Sequence, residues 1–216
     1  MTVHGLNICR TSYGPMEPIS ASAGMKNRLD VLAVGNLVRN GTEIKEANST
    51  STLIRAGSIN IVVDTSTKAR EASIRESFRQ IGVLPKDVSI VVLTHMHHDH
   101  CGNNDLFKKA RFFVRTEECP EGGDFIPVTG DMDIAPGVRL VHTPGHTEGS
   151  MSVFVESDRR YAIAGDAIPL EDNYRRMVPP GINYNAKVAT ESIKSIAEYA
   201  QVIIPGHGFP FMRDMI

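Results

Sequence analysis

Cysteine is scarce. Cys9, Cys101 and Cys119 are the whole complement, too few and too scattered for a disulfide framework, and an odd number fits a reducing compartment. Long hydrophobic runs are missing as well: no apolar stretch approaches the roughly 20 residues that span a bilayer, and Met1 to Arg10 lacks the charged-then-apolar order of a secretory signal. Nor is there a surplus of one charge. With 23 basic and 25 acidic side chains, the net charge is -2 and the pI about 6.4, so nothing draws the whole chain to phosphate backbones or anionic membranes. These absences exclude a disulfide scaffold and a helical membrane protein, and they make nucleic acid an unexpected partner. The expectation is a soluble, cytoplasmic protein acting on a small molecule. At 216 residues the length suits a single domain, 1–216, able to bury a sizeable core.

What the chain does have is histidine in one place. Thr94-His95-Met96-His97-His98-Asp99-His100-Cys101-Gly102 follows directly on the apolar run Val88 to Leu93. His95 and His97 are one residue apart, so in an extended loop both imidazoles project to the same side and can grip one cation. Asp99 and His100 point differently and suit a neighbouring cation better. Similar strand-to-loop junctions carry His146 in Pro144-Gly145-His146, Asp166 in Ala164-Gly165-Asp166, and His207 in Pro205-Gly206-His207-Gly208, where glycines permit the tight turns that bring distant segments together.

The apolar runs are mostly short and β-branched, broken by two helical patterns, which gives an α/β reading. Leu53 to Ala56 and Ile59 to Val63 form a hairpin around Gly57-Ser58 and end at Asp64. Arg70 to Ile81 spaces Ile74, Phe78 and Ile81 as one helical face, preceded by Ser/Thr caps and closed by Gly82. The same order returns: strands at Ser150 to Val155 and Tyr161 to Ala164, then Asp166, a helix over Val188 to Ala200 with Ile193, Ile196 and Ala200 on one stripe, a strand at Val202 to Ile204, and His207. Each half reads hairpin, aspartate, helix, strand, histidine, which predicts two similar halves whose loops meet at one site. Between them, Ala110 to Val114 and Val138 to His142 read as strands, and Glu118 to Ile134 reads as a Gly/Pro/acidic surface loop.

H-x-H-x-D-H followed in order by an isolated His, Asp and His resembles the metallo-β-lactamase superfamily over about Asn36 to Phe211. The stretches Pro205 to Phe211 and Asp105 to Phe107 are also similar to the group of small proteins called metallo-β-lactamase domain-containing protein 1. The resemblance implies a four-layer αβ/βα sandwich with metals at one edge. It also implies an assignment: His95, His97 and His146 on one metal, Asp99, His100 and His207 on a second, Asp166 bridging, and Asp64 supporting from behind. Departures narrow it. The best-known zinc β-lactamases carry cysteine at the position of Asp166, flavin-linked diiron reductases carry glutamate at that of His97, and the nine residues after His207 leave no room for the extra domains of nucleases or glutathione-thioester hydrolases. A compact hydrolase of the glyoxalase-II-like type remains, with two divalent cations, zinc first and iron or manganese also suited. In that reading the two cations, about 3.5–4 Å apart, generate a hydroxide that attacks a small ester, thioester or lactone, and Asp99 orients it and shuttles its proton. The rival expectations are a mononuclear iron oxygenase similar to persulfide dioxygenases, a phosphodiesterase or ribonuclease, and a binding protein without turnover. A homodimer is the assembly that the relatives suggest, although no interface stripe is legible.

Several residues invite over-reading. His98 should face away from both metals, His142 should be structural, His4 should lie at the terminal surface, and Cys101 should pack. Glu148 and Ser150 are expected to hydrogen-bond the loop of His146. Substrate contacts are expected from Ile168 to Asn185, where Tyr174, Arg175, Arg176 and Tyr184 would hold an anion if they are not simply an exposed loop.

Overall fold

The computed structural model describes residues 26–118 and 124–214; His4, Cys9 and Cys119 lie outside them. The chain begins with β1 (Arg28–Ala33), a two-stranded ribbon of β2 (Asn36–Asn40) and β3 (Glu43–Asn48), and the hairpin β4 (Ser51–Ala56) and β5 (Ile59–Val63). Helix α1 (Glu71–Ile81) crosses to β6 (Ile90–Val92), and a single helical turn, α2 (His98–Cys101), precedes β7 (Arg111–Arg115) and β8 (Phe125–Val128). Then come β9 (Met132–Ala135), β10 (Val138–His142), β11 (Met151–Glu156) and β12 (Arg160–Gly165). Helices α3 (Glu171–Arg175) and α4 (Ala186–Tyr199) lead to β13 (Val202–Pro205) and β14 (Phe211–Met212).

The strands form two six-stranded sheets, in the orders β1-β4-β5-β6-β7-β8 and β14-β13-β12-β11-β10-β9. Alternation within each strand divides its side chains between two layers. In β6, Ile90 and Val92 join Ile54, Ile61 and Val63 between the sheets, where they meet Leu140, Val153, Val155, Ile163 and Ile204 of the second sheet. Val91 points the other way, with Leu53 and Val62, onto Ile74 and Phe78 of α1. On the far side, Ile193, Ile196 and Ala200 of the α4 region cover Ala162, Ala164 and Ile203. Helix, sheet, sheet, helix is the αβ/βα sandwich that the resemblance implied. Burial of each such aliphatic side chain is worth roughly 1.5–3 kcal/mol, and these three clusters hold the layers together.

The two halves share their order. β4-β5 and β11-β12 are antiparallel pairs, and each is followed by a helical crossover to a parallel neighbour, β5 to β6 and β12 to β13. Some expected boundaries need correction. Residues 118–134 are not one loop, because β8 pairs with β7 and β9 with β10. The start of α1 uses no Ser/Thr side-chain cap: a 3-10 turn (Lys68–Arg70) leads in, and the Thr67 hydroxyl donates to Asn48 Oδ1 instead. Gly82 does close α1, in the left-handed conformation at φ 71°. No helix among the described residues is long and apolar enough to cross a membrane.

Candidate metal centre

One edge of the sandwich collects the chemistry. Asp64 follows β5, His95 follows β6, His146 follows β10, Asp166 follows β12 and His207 follows β13; these strands deliver their C-terminal ends to the same edge, the usual place for sites in α/β sheets. All seven residues singled out in the sequence meet there. His95, His97 and His146 bring ring nitrogens within 4.8 Å of one another, as do the donor atoms of Asp99, His100 and His207, and those of His95, His100 and Asp166. Asp166 stands between the two outer groups. Its Oδ2 is 3.5 Å from His146 Nε2 and 3.3 Å from His207 Nε2, and its Oδ1 is 3.4 Å from His100 Nε2 and 3.2 Å from His207 Nε2.

Outer contacts aim each ring. Asp64, buried and at φ 54°, takes the Thr94 backbone N–H on Oδ1 at 2.8 Å and both the Thr94 hydroxyl, at 2.8 Å, and His100 Nδ1, at 2.7 Å, on Oδ2. Because the Thr94 hydroxyl donates to Asp64, its oxygen is left to accept from His95 Nδ1, 3.2 Å away. His146 Nδ1 donates to the Ile182 carbonyl at 2.7 Å and His207 Nδ1 to the Asn48 carbonyl at 2.9 Å. These four imidazoles therefore turn Nε2 inward. His97, the most exposed of the set, instead turns Nδ1 towards His146 Nε2 at 3.0 Å.

Close packing makes the loops rigid. Gly145 has φ 129°, and a Cβ there would lie 2.3 Å from the Ala189 Cα of α4; a Cβ at Gly206 would lie 2.1 Å from Asp166 Oδ1. Glu118, which the sequence did not suggest, ties two ligand loops together by accepting from Met96 N at 3.1 Å and Gly149 N at 3.2 Å. Nothing in local sequence marks it, because its partners are 22 and 31 residues away.

The electrostatics separate the rings into two kinds. Burial, then neighbouring His100, holds the His95 imidazole well below its ordinary pKa, and burial with His146 lowers that of His97. Burial also opposes charge on His100, yet the Asp64 and Asp166 carboxylates hold it well above the usual value. His207 is raised against its burial by Asp166, and that carboxyl is in turn held well below the usual range by His100 and His207 in spite of being buried.

Three buried atoms at the centre, His95 Nε2, His100 Nε2 and Asp166 Oδ1, have no hydrogen-bond partner in proper geometry. A buried polar atom left so costs about 1–3 kcal/mol. Three convergent lone-pair donors of nitrogen and oxygen type are what a divalent cation satisfies, so the residues present fit one.

The remaining candidates sort themselves. His98 is exposed and belongs to none of the ligand groups. His142 Nε2 donates to the Glu148 carbonyl at 2.9 Å, a structural contact. Ser150 does brace the His146 loop, its hydroxyl oxygen accepting from Thr147 N at 3.0 Å; the Glu148 side chain makes no hydrogen bond to that loop among the described residues, and its carbonyl accepts from His142 instead. Cys101 packs against the α1 cluster and points its thiol at the His97 carbonyl, 3.4 Å away, with burial pushing its pKa up, which disfavours a reactive thiolate. The segment 168–185 supplies Pro169, Pro180, Gly181 and Ile182 to the wall of a cleft of about 460 Å3 above the ligands, but Tyr174, Arg175, Arg176 and Tyr184 are not in it. Tyr174 is buried in the α4 cluster. Arg175 pairs with Glu171 at 2.8 Å, and Arg176 with Asp172 at 3.1 Å.

The profile of the metallo-β-lactamase superfamily matches residues 44–125. A protein of Methanocaldococcus jannaschii named "Probable metallo-hydrolase" is 38% identical over 83% of this chain and 86% of its own length. The chain belongs to the metallo-β-lactamase superfamily. Membership implies divalent metal binding, and the chain is a metal-dependent hydrolase in keeping with its relatives. Metallo-β-lactamase domain-containing protein 1 of Xenopus laevis is 32% identical over 87% of this chain and 82% of its own. The N-acyl homoserine lactonase of Bacillus thuringiensis is 30% identical over 63% and 62%. Among solved superfamily structures, one from Thermotoga maritima superposes with a TM-score of 0.71, 19% identity, and coverage of 87% of this chain and 99% of the other.

Proposed function

We propose that this metallo-β-lactamase superfamily member holds two divalent cations, zinc ions, and hydrolyses a small carboxylic ester, thioester or lactone. One observation carries the reading: two complete three-residue donor groups stand on either side of Asp166, whose carboxylate lies within 3.5 Å of His146 in one and of His100 and His207 in the other. His95, His97 and His146 would hold one cation, Asp99, His100 and His207 the other, with Asp166 shared. A mononuclear iron site built on the first group would leave three donors converging on nothing. The lactonase name of one relative and the modest size of the cleft favour a small acyl substrate, since clefts of about 300–1,000 Å3 enclose small molecules.

When bound, a pair of divalent cations lowers the pKa of a shared water and polarises the substrate oxygen. The protein does the rest. Asp64, Thr94, Ile182 and Asn48 hold the imidazoles in the tautomer that faces inward. Asp99 is buried and lines the cleft floor, with Oδ2 3.7 Å from His207 Nε2; its carboxylate orients the attacking water and carries its proton to the leaving group.

Protein loaded with zinc should turn over at least one member of a panel of thioesters, activated esters and lactones, and Asp166→Ala and His146→Ala should lose metal and turnover together. Oxygen uptake with a single iron, cleavage of phosphodiesters alone, or full turnover by a metal-free variant would each defeat the proposal.

A further inference from the structure

The cleft has two walls. The β2–β3 ribbon supplies Leu37 and Ile44 to one, and Pro180 and Ile182 stand on the other, in the segment whose carbonyl fixes His146. The ribbon also brings three charged side chains to this cleft, Arg39, Lys45 and Glu46. Two of them are engaged. Lys45 Nζ lies 2.7 Å from Glu43, and Glu46 accepts from Asn48 Nδ2 at 2.8 Å with Arg70 4.0 Å away. Arg39 has neither an ion pair nor a side-chain hydrogen bond among the described residues. Its guanidinium reaches over the cleft to the opposite wall, close enough to Gly181 that a Cβ there would sit 3.3 Å from one of its nitrogens.

A guanidinium at the rim of the cleft, with five N–H donors and no ion-pair partner among the described residues, fits a planar carboxylate or a phosphate bidentately. We propose that Arg39 is a specificity-determining residue, and that the substrate carries a carboxylate or phosphate at the end remote from the bond that is cleaved, with an apolar stretch between. The proposal rests on the acyl hydrolysis proposed above for this cleft. It also moves anion recognition away from Arg175 and Arg176, whose charges are taken up by Glu171 and Asp172.

Binding, which needs no turnover, tests it. The zinc-loaded protein is titrated calorimetrically with straight-chain monocarboxylates of four to eight carbons, with the α,ω-dicarboxylates of equal length, and with the matching ω-phosphonocarboxylates. One carboxylate of each serves the metal-ligand end, and the second acidic group probes Arg39. At least one doubly acidic ligand should bind at least about fivefold tighter than its monocarboxylate. Arg39→Ala should bring that ratio to about one while leaving monocarboxylate affinity unchanged. Arg39→Lys should keep part of the preference and Lys45→Ala nearly all of it. Whichever of the dicarboxylate and the phosphonate gains more identifies the remote group. A ratio near one across the wild-type series, an unchanged ratio in Arg39→Ala, or loss of the preference in Lys45→Ala alone would overturn the proposal. If no ester, thioester or lactone is hydrolysed, the acyl-hydrolase reading fails, while these ratios still decide whether Arg39 reads an anion.

Discussion

At the scale of single residues, the site is governed by what stands behind each histidine. His100 is aimed by Asp64, and Asp64 is itself oriented by two bonds from Thr94. Asp64→Ala removes no proposed ligand, yet it frees the ring to turn and leaves Nδ1 without its acceptor. Loss of such a supporting carboxylate typically costs 10–100-fold in metal affinity, so a chelator competition should show a drop of about that size, against little change for His98→Ala. The pKa shifts predict which cation leaves first on acidification. His100 and His207 hold protons more tightly than ordinary imidazoles, whereas His95 and His97 hold them less tightly. A ligand must shed its proton to bind metal. As pH falls, protons therefore reclaim His100 and His207 before they reach His95 and His97. Metal retention followed by dialysis over a pH series should show the cation on Asp99, His100 and His207 released at the higher pH. The ligands themselves were legible because they crowd into one motif and its glycine-marked partners. Thr94 and Glu118 were not, since hydrogen bonds to residues far along the chain leave no local pattern, and the choice left open for Arg175 between anion contact and exposed loop is decided only when α3 sets Glu171 one turn before it.

At the scale of elements, the strands and helices that the sequence marked are those with a strong apolar period. β4, β5, β11 and β12 are buried along nearly their whole length, whereas α1 and α4 bury one face. The ribbon β2–β3 is mostly polar and only partly buried, so no apolar pattern marks it, and with it the cleft wall that carries Arg39 went unread. β8 and β9 were hidden by Pro127 and by the glycines around them; their ladders form because neighbouring strands supply the partners, which single-sequence periodicity does not reveal. Elements also constrain the site through contact. The Gly145 turn sits on α4 with no space for a side chain, and its φ of 129° disfavours any residue with a Cβ. Gly145→Ala should destabilise the fold by about 2–5 kcal/mol, combining backbone strain with overpacking, and displace His146. Thermal unfolding with metal analysis of the folded fraction checks both, and a melting temperature equal to wild type would show that α4 yields more easily than its packing indicates.

At the scale of the whole molecule, two similarly ordered halves are folded face to face so that the ends of β5, β6, β12 and β13 share one edge. The inter-sheet core fixes their distance, and backbone bonds such as Met151 N to the Thr94 carbonyl at 2.9 Å and Thr50 N to the Gly206 carbonyl at 2.7 Å stitch the halves together beside the site. This arrangement explains why ligands separated by more than a hundred residues converge with three buried donors unsatisfied. In the proposed reading two cations would share Asp166, and hydrolysis would draw on both. The direct test is the metal-to-protein ratio of the wild type and of Asp166→Ala, purified without added metal and measured by plasma mass spectrometry. The wild type should carry two divalent ions per chain, zinc above all, and the variant should fall below one. A single iron per chain, or a ratio that Asp166→Ala leaves unchanged, would contradict the account.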